Sequence, residues 1–148
     1  MFPEKIGFVP TRAIDQQHVQ LESLLETLRN HLHSDNKVDR SLVSLLGALS
    51  AHMQNHFEFE EADEYFAGLV HVAPRLAEQV EQLLQQHTSM LADANELVDL
   101  ARQSLAGDGD STKLADRFAK LRAQLLMHEG TEKKLLQEAY SRDIGTND

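Results

Sequence analysis

The sequence predicts an all-α fold, an antiparallel up-down-up-down four-helix bundle, on three observations. Four segments carry apolar residues three and four apart, the spacing that lines one face of an α-helix. Polar or Gly/Pro punctuation falls between them, at Ser34-Asp35-Asn36-Lys37, His71-Val72-Ala73-Pro74 and Gly107-Asp108-Gly109. Finally, His18, His56, His87 and His128 are spaced so that each consecutive pair is centred on one of those breaks. Antiparallel helices both rise about 1.5 Å per residue, so residues equidistant from the connecting turn stand side by side. Four histidines on four helices therefore share one level of the core. Strand signals are absent.

The first helix is expected from Thr11 to about His33, after a short N-terminal arm (residues 1–11), with Ile14, His18, Leu21, Leu25, Leu28 and Leu32 on its apolar face. The second begins near Asp39, whose carboxylate suits the free amides of a first turn, with Val38 and Val43 as a hydrophobic staple. Its stripe is Leu42, Leu45, Leu49, His52, His56, Phe59, Asp63 and Phe66, and it is expected to stop near Gly68. Pro74 suits the first turn of the third helix, whose stripe of Leu76, Val80, Leu83, His87, Met90, Ala94 and Leu97 runs to a stop at Gly107. The fourth follows Asp110-Ser111-Thr112 and carries Phe118, Leu121, Leu125, His128, Glu132, Leu135 and Ala139. Connections fall near residues 34–38, 69–73 and 106–111, and short connections between long amphipathic helices favour the bundle.

Composition narrows the class. A chain of 148 residues, 41% of them hydrophobic, suits one domain over residues 1–148 with a sizeable core. It has no cysteine, which removes disulfides, thiolate chemistry and cysteine-held zinc or iron–sulfur sites. Any metal must be held by imidazole and carboxylate. A formal charge of −10 argues against nucleic acid or an anionic membrane as partner, because phosphate recognition relies on clustered Lys and Arg. The opening Met1-Phe2-Pro3-Glu4-Lys5 lacks a long apolar leader region, and no later run is long enough to cross a bilayer, so a cytoplasmic location is expected. No feature fixes an oligomeric state.

Function is written where polar residues interrupt the apolar stripes. His18, His56, His87, His128 and Glu132 occupy core positions, and Glu60 sits beside one. An ionised carboxylate buried without a partner costs several kcal/mol or neutralises itself, so a core glutamate needs an explanation. A metal ion is one. Histidine–glutamate ion pairs alone are a weaker explanation, since such pairs seldom repay their desolvation. The second and fourth helices, which run parallel, each carry His-x-x-x-Glu, His56 to Glu60 and His128 to Glu132, an i, i+4 pair on one face. Both glutamates lie one turn beyond the histidines on the same side, where they are placed to bridge two ions. The halves of the chain echo one another: Gln16-Gln17-His18 recurs as Gln85-Gln86-His87, each followed some forty residues later by His-x-x-x-Glu. Of the other histidines, His52 reads as a boundary residue satisfied by a carbonyl or water, and His31, His33 and His71 as solvated. Glu58, Glu61, Asp63 and Glu64 read as a solvated acidic face.

On these residues the chain resembles the hemerythrin-like family, with HHE cation-binding domains. The resemblance runs from about Thr11 to Tyr140 and rests on His18, on His56-Phe57-Glu58-Phe59-Glu60-Glu61, on His87, and on His128 to Glu132. It implies a non-haem di-iron centre with His18, His56, His87 and His128 as terminal ligands and Glu60 and Glu132 as bridges. Manganese or zinc would suit the same donors. Oxygen carriers of the family have a His-x-x-x-His pair in the third helix and close their site with an aspartate five residues after the last histidine. Here Leu83 stands where the additional imidazole would be, and the acid is Glu132 at i+4. The missing ligand leaves an open position, or room for Glu22 or His52 to join.

This arrangement is closer to members associated with iron handling, redox sensing or nitric-oxide and iron–sulfur repair chemistry than to oxygen carriers. Leu21, Leu25, Leu83, Met90 and Leu125 are expected to make an apolar pocket for a small diatomic ligand or peroxide. A protein that binds or senses dioxygen, nitric oxide, or redox or iron state is favoured over an enzyme. The alternatives are a di-iron redox enzyme, reducing peroxide or nitric oxide or repairing clusters, and a metal-free helical interaction domain.

Overall fold

Four long helices make the bundle in the computed structural model, which describes residues 2–34, 38–62, 65–107 and 111–142. They are α1 (Phe2–Ser34), α2 (Arg40–Glu61), α4 (Ala77–Leu105) and α5 (Ser111–Gln137). A short helix, α3 (Phe66–Val72), and a 3-10 turn at Pro74–Leu76 join α2 to α4, and a π-helical turn, Glu138–Arg142, closes α5. Helix α1 packs on α2, α2 on α4, α4 on α5, and α5 back on α1, the ring expected of sequential antiparallel neighbours. No strand occurs among the described residues.

Local chemistry accounts for several boundaries. Asp39 has extended backbone, and its Oδ1 accepts the amide of Leu42 at 2.9 Å, so it caps α2 as expected. Val38 and Val43 both pack against the main core. Gly107, the stop after α4, has φ of +93°, a conformation glycine adopts without steric cost. The expected turn residues Asp35, Asn36, Lys37, Asp108, Gly109 and Asp110 lie outside the described residues, as do Asp63 and Glu64.

Three boundaries differ from expectation. Helix α1 starts at Phe2 and continues through Pro10; proline removes one amide donor, but its fixed φ near −65° is itself helical. Helix α2 ends at Glu61 instead of running to Gly68, because Ala62 turns extended at φ −65° and ψ 154°. The chain then forms α3 where a plain turn was expected near 69–73, and Gly68 lies inside that helix. The detour is driven by burial: it delivers Tyr65, Phe66, Leu69 and Ala73 to the core. The buried face of α2 is also rotated. Leu46, Met53 and Phe57 are buried, while Leu45, His52 and Phe59 are only half-buried. Steps of three and of four both fit a helical period, and contact with α1 on one side and α4 on the other decides between them.

The core has two apolar layers. One, with Leu21, Leu25, Leu46, Met53, Met90, Leu97, Phe118 and Leu125, fills the end nearer the α1–α2 and α4–α5 connections. The other, with Ile14, Tyr65, Phe66, Leu69, Leu76, Val80, Leu83, Leu135 and Ala139, fills the opposite end. His18, His56, Glu60, His87, His128 and Glu132 lie between them, none more than 2% exposed.

Candidate metal centre

Each long helix contributes to this polar layer from its inward face: His18 from α1, His56 and Glu60 from α2, His87 from α4, His128 and Glu132 from α5. The i, i+4 spacing puts each glutamate one turn from its own histidine and reaching towards the histidine of another helix. Glu60 Oε1 lies 2.8 Å from His87 Nε2 and 3.5 Å from His128 Nε2. Its Oε2 faces His56 Nε2 at 2.8 Å, without the alignment of a hydrogen bond. Glu132 Oε1 lies 3.2 Å from His18 Nε2 and 4.0 Å from His56 Nε2.

These atoms form two donor groups, within each of which all lie within 4.8 Å of one another: His18, His56, Glu60 and Glu132, and Glu60, His87 and His128. Glu60 belongs to both. Glu132 belongs to the first, and its other oxygen accepts a 2.5 Å hydrogen bond from the Tyr65 hydroxyl.

The outer ring nitrogens are held in a way that suits metal ligation. His56 Nδ1 donates to the Gln17 side-chain oxygen at 2.8 Å, and His128 Nδ1 to the Gln86 side-chain oxygen at 2.7 Å. His87 Nδ1 donates to Glu61 Oε2 at 2.7 Å. With a proton kept on Nδ1, the Nε2 lone pair would face into the layer once a cation took the place of the inner proton. His18 Nδ1 is buried with no hydrogen-bond partner among the described residues.

Without a cation this layer is electrostatically frustrated. Burial, and then the neighbouring Glu60, push the Glu132 carboxyl up to about 11. Burial also works against the Glu60 carboxylate, but the surrounding imidazoles of His128, His56 and His87 outweigh it and hold that carboxyl well below its usual range. Burial, then His56, lower His18 to about 4. For His87 burial acts downward, but the bonds to Glu60 and Glu61 prevail and raise it. Burial, then Glu132, raise the Tyr65 hydroxyl far above its ordinary value. One carboxylate stays ionised only because imidazoles surround it, and the second must take up a proton. Cations would satisfy both oxygens and all four Nε2 atoms together.

All six residues singled out in the sequence come together in this layer. Leu21, Leu25, Leu83, Met90 and Leu125 are buried above and below it. The two proposed recruits do not join: His52 Nε2 donates to the Gln17 carbonyl at 3.0 Å, and Glu22 is exposed with Lys133 Nζ 3.8 Å away. Glu61, read as solvated, is half-exposed but bound to His87.

Sequence reasoning also passed over Phe57, Tyr65 and Glu129. Phe57 is fully buried and stacks on the His87 ring, centroids 4.0 Å apart and planes 7° from parallel. A stripe drawn one residue later on α2 would have included it. Tyr65 reaches the centre only because α2 stops at Glu61, which no spacing rule announces. Glu129 is buried beside the centre, and burial, then Glu22, push it up to about 8. A cleft of about 220 Å³ between α4 and α5, with Met90 and Met127 in its walls, reaches His128 and its partner Gln86.

Fold and site together define a four-helix protein with a buried histidine–carboxylate layer able to hold metal ions. The hemerythrin HHE cation-binding domain model matches residues 9–140, and the chain belongs to that family. Neither the curated proteins nor the solved structures compared with it gave a match.

Proposed function

We propose that this protein binds two iron ions through His18, His56, His87, His128, Glu60 and Glu132, and uses them in the cytoplasm to bind or sense a small ligand such as dioxygen or nitric oxide, or redox or iron state. The observation that carries the reading is the pair of donor groups sharing Glu60 inside a buried layer. The four histidines would hold the ions as terminal ligands, with Glu60 and Glu132 as the carboxylates between them; Glu60 falls in both donor groups and Glu132 in the first alone. Imidazole and carboxylate donors with bridging oxygens suit a redox-active pair of first-row ions. Iron supplies reversible electron transfer and affinity for diatomic ligands. The apolar side chains above and below exclude larger substrates.

One observation favours a second reading, a di-iron redox enzyme acting on peroxide or nitric oxide. The His87–His128 group offers three donors against four on the other side, and the α4–α5 cleft leads to it. An open position there would admit a substrate. Exposing anaerobically reduced, iron-loaded protein to oxygen separates the readings. A reversible charge-transfer band supports binding, and rapid irreversible oxidation supports turnover.

The metal assignment has its own test. Protein from iron-replete cells is expected to carry close to two ions per chain. Glu60→Ala and Glu132→Ala should each lower that number, while His52→Ala, whose ring is bound to a carbonyl, should retain it. Equal loss from all three, or a metal-free parent protein, would contradict these roles.

A further inference from the structure

The two donor groups are unequal in number and in outer support. The first offers two imidazoles and two carboxylates, the second two imidazoles and one carboxylate that it shares with the first. Glu132 is kept from evening the balance, because its other oxygen, Oε2, accepts the Tyr65 hydroxyl. Fewer anionic donors mean weaker hold on a dication.

Behind the second group, however, stands something the first lacks. The echo between the chain halves pairs His18 with His87 and His56 with His128. The latter two have equivalent outer partners, the amide oxygens of Gln17 and Gln86. The former two do not: His87 Nδ1 meets the Glu61 carboxylate at 2.7 Å, whereas His18 Nδ1 has no partner among the described residues. A carboxylate accepting the outer N–H draws the proton away from the ring and makes the inner nitrogen a more basic ligand, besides fixing its tautomer. Glu61 adds negative charge to the poorer side. It does so from a half-exposed position on the last turn of α2, reachable by solvent.

We propose that the centre loads in order: His18, His56, Glu60 and Glu132 take a first, tightly held ion, and Glu60, His87 and His128 take a second, exchangeable ion whose retention Glu61 governs through His87. Glu61 is a positioning residue in this scheme, acting on the metal only through the imidazole. The inference rests on the two-metal reading above.

Zinc(II), which has no redox chemistry, is the probe. Metal-free protein is titrated by calorimetry, and histidine side-chain nitrogens are followed by ¹⁵N NMR. With the first equivalent, the Nε2 resonances of His18 and His56 should move while that of His87 does not; the second equivalent should move His87 and His128. Glu61→Ala should weaken the second binding event about tenfold and leave the first unchanged, as loss of an outer-shell partner does. Glu61→Gln, which keeps an acceptor but not the charge, should fall between. Simultaneous loading of all four histidines, or a Glu61→Ala effect on both events alike or on neither, overturns the ordering alone. A parent protein that takes up no zinc or iron overturns the two-metal reading and the ordering with it.

Discussion

At the scale of single residues, the centre is governed by who donates to whom. Tyr65 donates a hydrogen bond from its hydroxyl to Glu132 Oε2, and both groups are buried. Tyr65→Phe removes the donor without changing the ring's shape, leaving a buried carboxyl oxygen without its bond. An unsatisfied buried acceptor costs about 1–3 kcal/mol, so the metal-free variant should be less stable by about that much, read as a lower urea midpoint. An unchanged urea midpoint would show that the hydroxyl bond contributes nothing. Glu61 and Glu58 illustrate how little separates structural roles from solvated ones. Both are acids near the end of α2, but Glu58 is exposed beside Gln54, while Glu61 turns inward to His87.

Among the helices, two substitutions isolate local terms. Gly130 lies exposed in α5, and a Cβ added there would meet nothing within 4 Å, so packing does not require glycine. Gly130→Ala should therefore stabilise the protein by about 1 kcal/mol, read as a raised thermal midpoint. Asp39 caps α2, and the Leu42 amide holds its carboxyl below the usual value of 3.8. A folded-state value below the unfolded one means stability that is present above that unfolded value and lost as pH falls through the folded one. Asp39→Ala should thus destabilise the protein at neutral pH. The gap from the parent should close on acidification below 3.8, as followed by chemical unfolding at a series of pH values. A gap that persists in acid would mean that the cap acts through something other than its ionised form.

For the molecule as a whole, the polar layer lies between two apolar ones, so the bundle does not depend on metal for most of its buried surface. Metal-free protein should keep its helical circular dichroism and still unfold cooperatively. Added metal should raise the thermal midpoint in a concentration-dependent way, because an ion that binds only the folded state stabilises it by mass action. Complete loss of helix on metal removal would show that the layer, not the apolar ends, holds the bundle together. Among the described residues no helix is long and apolar enough to cross a membrane.

The sequence by itself determined the all-α bundle, its helix order and the six residues of the central layer, because helical period and distance from the turns fix face and height in antiparallel neighbours. It also determined the Asp39 cap and the Gly107 stop, which are local chemistry. Tertiary structure decided what depends on contact between distant segments. The early end of α2 and the formation of α3, which bring Tyr65 to Glu132, follow from apolar burial at the far end of the core and not from any signal near Ala62. The rotation of α2 that buries Phe57 against His87 was set by packing between α1 and α4, since steps of three and four are equally helical. The arrangement of the six donors into a group of four and a group of three that share Glu60 depends on how each side chain turned, with Tyr65 holding Glu132 and with Glu61, Gln17 and Gln86 holding imidazoles from other helices, and spacing along a chain cannot encode that.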